Sequence, residues 1–529
     1  MRTKLIDVLL ATLLLASSSL ACAADDEKDA DASADKDAKA AKKDDKPIPP
    51  EKTAVSHGSV DIGGRTIHYT ATAGSVLIRD DKENKPNASV FYVAYTADVG
   101  KNASARPITF LYNGGPGSPS IWLHMGSIAP VRVESASAVA TAPPPYRLVP
   151  NADSLIDRSD LVFIDAVGTG YSTPVGKGKG KDFWGVDQDL SAFAKAISRY
   201  VTINQRWNSP KFLFGESYGT TRSAALVNRL QGEGMAFNGV VLLSSILNYG
   251  ANSPGLDQTY IGALPTFAAI AWYHDKVPNK PASMPAFVDE ARAFAGGEYA
   301  TALAKGQNIT PDELNAVATR LSHYTGLSAQ YLKEANLRVS QSRFRKELLR
   351  DERRTVGRYD ARYEGIDLDA AGENPDYDAS DTAITGAFVA AFNGYLAGTL
   401  KWTSDEPYKI RTEINRQWDW KHEVAGQRQP QRQPYVAADL ARAMRENPKL
   451  QVLSANGWFD LATPFFATET DLSHMLLDPS LRGNLSFTYY PAGHMVYLNV
   501  DALKQFKSDL DAFYDRASGA QEMPRKGHS

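Results

Sequence analysis

A Gly-Glu-Ser-Tyr-Gly segment at positions 215–219 has the G-x-S-x-G spacing that places a serine on a sharp turn between a strand and a helix. Side chains at the two outer positions would crowd the neighbouring backbone, so the turn requires glycine at both. The apolar run 212–214 predicts the strand before the turn, and the pattern 220–230 predicts the helix after it. We therefore interpret Ser217 as a candidate nucleophile, the alternative being a plain structural turn.

A serine nucleophile needs a base and an acid that orients the base. His494 follows the predicted strand 485–490, and Asp460 follows the buried apolar run 450–454. The chain order serine, aspartate, histidine is the order of the α/β-hydrolases. A buried structural role is the alternative for His494, and Asp471 is a competing acid whose setting looks helical.

A glycine-rich turn at 113–117 follows the predicted strand 108–111. Glycines leave backbone N–H groups exposed, and one of these together with the N–H of Tyr218 can face an oxyanion that develops at Ser217. Such donors typically contribute ~3 kcal/mol of transition-state stabilisation. The alternative is a glycine turn without a chemical role.

The elements around these motifs predict an α/β fold. Runs that are apolar at every position are typical of strands buried on both faces of a parallel sheet; they occur at 108–111, 161–164, 212–214 and 240–243. Helical patterns at 184–200 and 220–230 lie between them. Strand patterns at 59–62 and 66–69, which flank Gly63 and Gly64, and at 88–95 precede them.

The strand pattern stops after residue 247, and a helix-rich stretch follows to about residue 402. Strands return at 450–454 and 485–490, and a helix is predicted at 501–517. We therefore expect an α/β-hydrolase fold with a mostly parallel central sheet and a helical cap insertion over the carboxyl ends of the strands. The predicted division is a signal peptide (1–23), a disordered charged linker (24–55), the first part of the core (56–249), the cap (250–404), the second part of the core (405–518) and a flexible tail (519–529).

The N-terminal residues have the pattern of a secretory signal peptide. Arg2 and Lys4 precede the apolar run 8–15, which is too short for a lasting membrane span. Cleavage after Ala23 fits the small residues there, and the alternative makes Cys22 a lipidated first residue. Cys22 is the only cysteine, which excludes internal disulfides, cysteine catalysis and a cysteine metal site.

The composition excludes further classes of function. The formal net charge of −3 offers no basic surface for nucleic acid. No His-Glu-x-x-His or comparable spacing predicts a metal site, and no motif predicts a cofactor.

Together these segments resemble the serine carboxypeptidase family, over about 107–247 and 450–498. The stretch 162–172, which includes Asp165, also looks like the family's sequence before the nucleophile. The resemblance implies peptide substrates. The roles that it implies fall on the triad Ser217, Asp460 and His494, on the oxyanion-hole donors Gly115 and Tyr218, and on the substrate-carboxylate site Asn113, Gly114 and Glu216.

Three positions depart from the usual family pattern. Leu111 stands where tryptophan is frequent, and Ser118 stands where cysteine is common. Tyr497 stands where proline often follows the sequence His-Met-Val. The missing cysteines indicate a bacterial branch without disulfides. Glu216, in contrast, matches the family pattern, and its position has a physical interpretation. A carboxyl group beside the nucleophile can share a proton with an incoming substrate carboxylate, whereas two ionised carboxylates repel each other. This favours activity at acidic pH, the alternative being that Glu216 only packs at the turn.

The sequence thus predicts an exported serine carboxypeptidase, periplasmic or secreted, that releases C-terminal residues from peptides through an acyl-enzyme. Two alternatives remain open. A related esterase, aminopeptidase or acyltransferase could use the same triad, and a tethered binding protein could have kept the fold without catalysis.

Overall fold

Strands and helices alternate along the chain in the computed structural model, which describes residues 46–424 and 427–519. These residues belong to one compact unit that begins at Lys46. The predicted signal peptide, Cys22, residues 24–45 of the predicted linker and the tail after Gly519 lie outside the described residues.

Fourteen strands lie within the described residues. They are β1 (Thr53–Ile62), β2 (Arg65–Arg79), β3 (Pro86–Ala97), β4 (Ile108–Tyr112), β5 (Val131–Val133), β6 (Leu148–Pro150), β7 (Asp160–Ile164), β8 (Thr173–Pro174), β9 (Lys211–Glu216), β10 (Gly239–Leu243), β11 (Thr355–Val356), β12 (Glu364–Gly365), β13 (Gln451–Gly457) and β14 (Leu485–Tyr490). The nine predicted strands are thereby confirmed.

Thirteen α-helices lie within the same part of the chain. They are α1 (Ile121–Gly126), α2 (Val186–Ile203), α3 (Tyr218–Gly232), α4 (Gln258–Tyr273), α5 (Met284–Phe294), α6 (Ala300–Ala304), α7 (Pro311–Thr325), α8 (Ala329–Glu334), α9 (Gln341–Glu347), α10 (Ala379–Gly398), α11 (Ala437–Glu446), α12 (Phe465–Ser473) and α13 (Val500–Ala517). The three predicted core helices correspond to α2, α3 and α13. Among the described helices, none is long and apolar enough to cross a bilayer.

One large sheet has the strand order β1-β2-β3-β7-β4-β9-β10-β13-β14, with β8 paired to β3. The first three strands form an antiparallel meander, and the six strands from β7 to β14 are parallel to one another. Parallel strands end at the same edge, so the loops after β4, β9, β13 and β14 meet there. The predicted α/β-hydrolase fold with a mostly parallel sheet is confirmed.

The central strands are buried because both faces of the sheet are covered by helices. Along β9, Leu213 packs into one core cluster with residues of α2, α3 and α11, whereas Phe212 and Phe214 pack into a second cluster with residues of α1, α10 and α13. This arrangement explains why every residue of β4, β7, β9 and β10 is buried and why each of these strands contains a run of apolar residues in the sequence.

Seven helices, α4 to α10, follow β10 and occupy the segment predicted as the cap. Helices α4 to α9 build a third apolar cluster of their own, to which Trp458 and Phe459 contribute from the loop after β13. Helix α10 instead packs into the second core cluster. At the other end of the core, β1 begins at Thr53, so this strand includes residues 53–55 assigned to the linker. The division into domains remains our proposal.

Candidate active site

Ser217 lies on the turn between β9 and α3, with a left-handed backbone φ of 61°. The backbone packs so closely around this turn that the flanking glycines have no space for a side chain. A Cβ on Gly215 would collide with the carbonyl oxygen of Gly219, and a Cβ on Gly219 would lie 2.8 Å from the carbonyl oxygen of Tyr112. A non-glycine residue at positive φ is strained, and such strain persists only where the surroundings enforce it. The turn therefore presents the Ser217 side chain at the carboxyl edge of the sheet.

His494 and Asp460 follow β14 and β13, and the structure brings them together. His494 Nδ1 donates to Asp460 Oδ2 at 2.7 Å, and both residues are almost fully buried. Thr463 Oγ1 also donates to Asp460 Oδ2 at 2.6 Å, and the amides of Ala462 and Thr463 donate to Oδ1. Because Nδ1 carries a proton toward Asp460, Nε2 is left to accept one.

The environment of His494 changes its basicity in two opposing ways. Burial alone lowers the pKa of a histidine, but the Asp460 carboxylate, with a further contribution from Glu216, outweighs burial and raises the pKa of His494 above its ordinary value. Asp471, the competing acid, lies in α12 and accepts a hydrogen bond from Asn248 at 3.1 Å. Asp460, and not Asp471, is thus the hydrogen-bonded partner of His494.

The glycine turn 113–117 packs directly against the serine turn. A Cβ on Gly114 would collide with the amide nitrogen of Tyr218. Among the described residues, the structure gives neither the Gly115 amide nor the Tyr218 amide a hydrogen-bond partner. Both amides belong to residues that line one cavity with Ser217 and His494, about 680 Å³ in volume. This arrangement suits a pair of donors to an oxyanion.

Glu216 is a buried carboxyl group at the floor of the same cavity. Asn113 Nδ2 donates to its Oε1 at 3.0 Å, and the hydroxyl of Tyr497 donates to its Oε2 at 2.8 Å. Burial raises the pKa of Glu216 to about 7, although these two donors and His494 act in the opposite direction. The three predicted carboxylate-site residues, Asn113, Gly114 and Glu216, therefore lie together beside Ser217.

Asn113 is held through both its side chain and its backbone. Its Oδ1 accepts the amide of Leu123 at 2.9 Å, and its backbone oxygen accepts Arg222 Nη1 at 2.9 Å. Arg222 is fully buried, pairs with Asp189 at 2.7 Å and lies 4.0 Å from the ring centre of Phe193. This ion pair fixes the glycine turn from the side of α3.

The stretch 162–172 supports the glycine turn from the other side. Asp165 Oδ1 accepts the amide and the hydroxyl of Ser120, each at 2.8 Å, and the hydroxyl of Tyr408 at 3.0 Å. Burial raises the pKa of Asp165 to about 6. Asp165 thus acts on the start of α1 and not directly on a substrate.

Sequence reasoning missed several residues of this site. In the sequence Tyr497 stands out only as a departure from a family pattern, and the sequence analysis assigns no role to Arg222 or Thr463. A signal existed for two of them. Thr463 follows Asp460 by three residues, a spacing at which a hydroxyl and an amide can bond an aspartate. Arg222 is the one charged residue among positions 218–228 of helix α3. Within the described residues no group of three or more His, Cys, Asp or Glu side chains is arranged to hold a metal ion.

Part of the chain is similar in sequence to known carboxypeptidases. Residues 68–255 match the family model described as serine carboxypeptidase. Pheromone-processing carboxypeptidase KEX1 of Saccharomyces cerevisiae is 30% identical over 156 residues, which are 28% of this chain and 20% of that protein. The chain thus spans about a fifth of the length of this curated relative.

The crystal structure of Kex1(delta)p, a prohormone-processing carboxypeptidase from Saccharomyces cerevisiae, is similar with a TM-score of 0.52 at 15% identity, covering 84% of this chain and 91% of that chain. This likeness concerns the fold. The sequence match includes the glycine turn, the stretch 162–172 and Ser217. Over residues 68–255 the chain is therefore similar to the serine carboxypeptidase family.

Proposed function

We propose that the protein is an exported serine carboxypeptidase that releases C-terminal residues from peptides through an acyl-enzyme on Ser217. The observation that carries the proposal is the buried carboxyl of Glu216, placed beside Ser217 and held by Asn113 and Tyr497. A carboxyl group in this position distinguishes a site for free C-termini from a general esterase site.

The proposed reaction follows from the roles of three side chains. Ser217 Oγ attacks the last peptide carbonyl, His494 Nε2 takes the hydroxyl proton, and the amides of Gly115 and Tyr218 bind the oxyanion. His494 then gives the proton to the leaving amine, and the C-terminal amino acid departs. Water attacks the acyl-enzyme and gives a proton to His494, which passes it to the departing Ser217 Oγ as the ester bond breaks. The shortened peptide is then released with its new carboxyl group.

Two groups set the pH dependence. Below about pH 7 Glu216 is protonated and can donate to the substrate carboxylate, whereas above that pH its ionised form repels the substrate. His494 must be neutral to accept a proton, and its raised pKa therefore limits activity on the acidic side. Because the two groups influence each other, the two limbs of the profile belong to the coupled pair.

The proposal includes export to the periplasm or the medium. Its support is the sequence pattern of residues 1–23, and cleavage after Ala23 is the favoured form. Intact mass of the protein recovered from a bacterial periplasm distinguishes cleavage from a lipid on Cys22, which would add the mass of its acyl chains.

The test compares an N-blocked peptide that has a free C-terminus with the same peptide amidated at its C-terminus, at about pH 6.5 and at about pH 8.5. We expect stepwise loss of residues from the free acid, faster at the mildly acidic pH, and no cleavage with Ser217→Ala. Mass spectrometry of the products reads out each step. If a simple ester is hydrolysed through Ser217 while neither peptide is shortened, the carboxypeptidase proposal is wrong and an esterase or acyltransferase replaces it.

A further inference from the structure

A loop from the helical insertion, residues 357–363, lies against both loops that carry the candidate acid and base. The carbonyl oxygen of Arg358 accepts the amide of Leu461 at 3.1 Å, and the amide of Ala361 donates to the carbonyl oxygen of Phe459 at 3.0 Å. These two bonds flank Asp460 on either side. The 357–363 loop is therefore joined to the backbone that presents the acid.

The same loop is joined to the backbone that presents the base. The carbonyl oxygen of Tyr359 accepts the His494 amide at 2.6 Å, and Asp360 Oδ2 accepts the Gly493 amide at 3.1 Å. A Cβ on Gly493 would collide with the carbonyl oxygen of Tyr359, so the approach is close. The ring of Tyr359 lies 5.2 Å from the His494 ring, centre to centre.

Asp360 is held in place by a buried ion pair. Arg362 Nε donates to Asp360 Oδ1 at 2.9 Å and Arg362 Nη2 donates to Oδ2 at 2.6 Å, with both side chains almost fully buried. From the side of α10, Ser380 Oγ accepts the amides of Tyr359 and Asp360 at 3.1 and 3.2 Å. The loop is thus hydrogen-bonded to the insertion as well as to the core.

The position of β14 explains why such support matters. Within the described residues β14 is the last strand of the sheet and pairs only with β13. The loop after it, which carries His494, has no further parallel strand beside it. A catalytic base must be held to within about 0.5 Å of its productive position by groups that are themselves fixed. The 357–363 loop supplies hydrogen bonds where a neighbouring strand is missing.

We propose that Asp360 is a positioning residue: its carboxylate, held by Arg362, fixes the Gly493 amide and through it the imidazole of His494. The helical insertion therefore contributes to the geometry of the catalytic base as well as covering the site. This inference rests on the proposed role of Ser217 and His494 as nucleophile and base, and it concerns the rate of acylation more than the binding of substrate.

The test uses Asp360→Asn in the full chain, with two readouts. We expect kcat for the free-acid peptide and the rate of fluorophosphonate labelling of Ser217 each to fall about 10-fold, since a bond to a charged acceptor is weakened. KM should change by less than about 2-fold, because Asn113 and Glu216 are untouched. Asp360→Glu, which keeps the charge, should recover part of the loss.

Asp367→Asn is the matched control. It alters the carboxylate of another buried ion pair of the insertion, Lys346 with Asp367 at 2.5 Å, which makes no hydrogen bond to either loop of the candidate triad. We expect wild-type kcat and labelling from this variant. If Asp367→Asn lowers both rates as much as Asp360→Asn does, or if Asp360→Asn leaves both unchanged, the positioning role is wrong.

A second variant covers the case in which Asp360→Asn does not fold. Ser380→Ala loosens the same loop without leaving a buried charge unpaired, and it should lower kcat and labelling in the same direction; wild-type rates from it would overturn the proposal. The two proposals fail in different ways. Unlabelled wild-type protein contradicts the proposed function, whereas labelled wild type with equally labelled Asp360→Asn contradicts only the role of Asp360.

Discussion

The two halves of the candidate site are held in different ways. The nucleophile half, formed by the glycine turn 113–117 and the serine turn 215–219, lies within the stretch that matches the family model. Its geometry comes from backbone contacts that admit no side chain at Gly114, Gly215 or Gly219. The oxyanion donors are likewise backbone groups, and Arg222 supports this half through a hydrogen bond to the backbone oxygen of Asn113.

The acid–base half lies outside that stretch and depends on side-chain hydrogen bonds. Thr463 holds Asp460, and Asp360 holds the loop of His494. Tyr497, in the segment after the histidine, donates to Glu216 of the nucleophile half. Such bonds can be weakened one at a time. We therefore expect substitutions in the nucleophile half to act nearly all-or-none, and substitutions in the acid–base half to act by degrees.

The largest effect is expected from Gly215→Ala. The added Cβ would meet the carbonyl oxygen of Gly219, so the turn must move and carry Ser217 with it. A displacement of about 1 Å can cost about 100-fold in rate, and kcat should fall at least that far. Gly232→Ala, at the end of the same helix α3 with open space around its Cβ position, should keep wild-type kcat. Near-normal turnover in Gly215→Ala would remove the contrast between the two halves.

A graded effect is expected from Thr463→Val. The substitution keeps the shape and removes a 2.6 Å hydrogen bond to the Asp460 carboxylate, which is of the kind that contributes about 1.5 kcal/mol or more. We expect kcat to fall about 10-fold. Thr470→Val, which removes a bond to a helix carbonyl of α12, is the matched control and should have no effect on kcat. Equal losses from both variants would mean that general loosening, and not the orientation of Asp460, limits the rate.

Tyr497→Phe should change the pH profile more than the maximal rate. The Tyr497 hydroxyl donates to Glu216 and favours its ionised form, so removing it raises the pKa of Glu216 above about 7. The alkaline limb of kcat/KM for a free-acid peptide should then move to higher pH. An ester substrate without a carboxylate needs no proton on Glu216, and its profile should not move. A shift seen equally with the ester would assign the limb to another group.

The fold was predictable because its signals are local. Strands β9 and β10 each contain a short continuous apolar run, and helices α2 and α3 have recognisable patterns, so the order of elements follows from short windows of sequence. The positions of Ser217, Asp460 and His494 relative to strand ends come from the same windows. Their proximity then follows from the topology of a parallel sheet.

The supporting side chains of the site were not predictable in this way. Tyr497 and Glu216 are 281 residues apart, and Asp360 and Gly493 are 133 residues apart. Contacts between residues so far apart in sequence form only when distant segments pack together in the folded chain. The periodicity of the sequence does not predict which loops come into contact. The nucleophile half was accessible from sequence because its determinants are adjacent residues, whereas the acid–base half is completed by tertiary packing.

The smallest effect on turnover, and a clear effect on stability, is expected from His422→Gln. The His422 ring bonds Asp187 of α2 through Nδ1 at 2.7 Å and Asp439 of α11 through Nε2 at 3.1 Å. Burial alone lowers the pKa of His422, but the two carboxylates outweigh burial and raise it to about 9. The folded-state pKa therefore lies above the ordinary value of 6.5, and the protonated ring stabilises the fold by on the order of 3 kcal/mol.

This stabilisation is fully present below about pH 6.5 and is lost as the pH rises through about 9. His422→Gln should accordingly lower Tm strongly at pH 6 and only slightly at pH 10, while kcat well below Tm stays near the wild-type value. His323→Gln, at an exposed position of α7, is the control and should leave the pH dependence of Tm unchanged. An equal loss of Tm at both pH values would mean that His422 acts by packing alone. A fall in kcat would instead show that the contacts of His422 with α2 and α11 influence the acid–base half. Substitutions well outside the cavity would then also lower the rate by degrees.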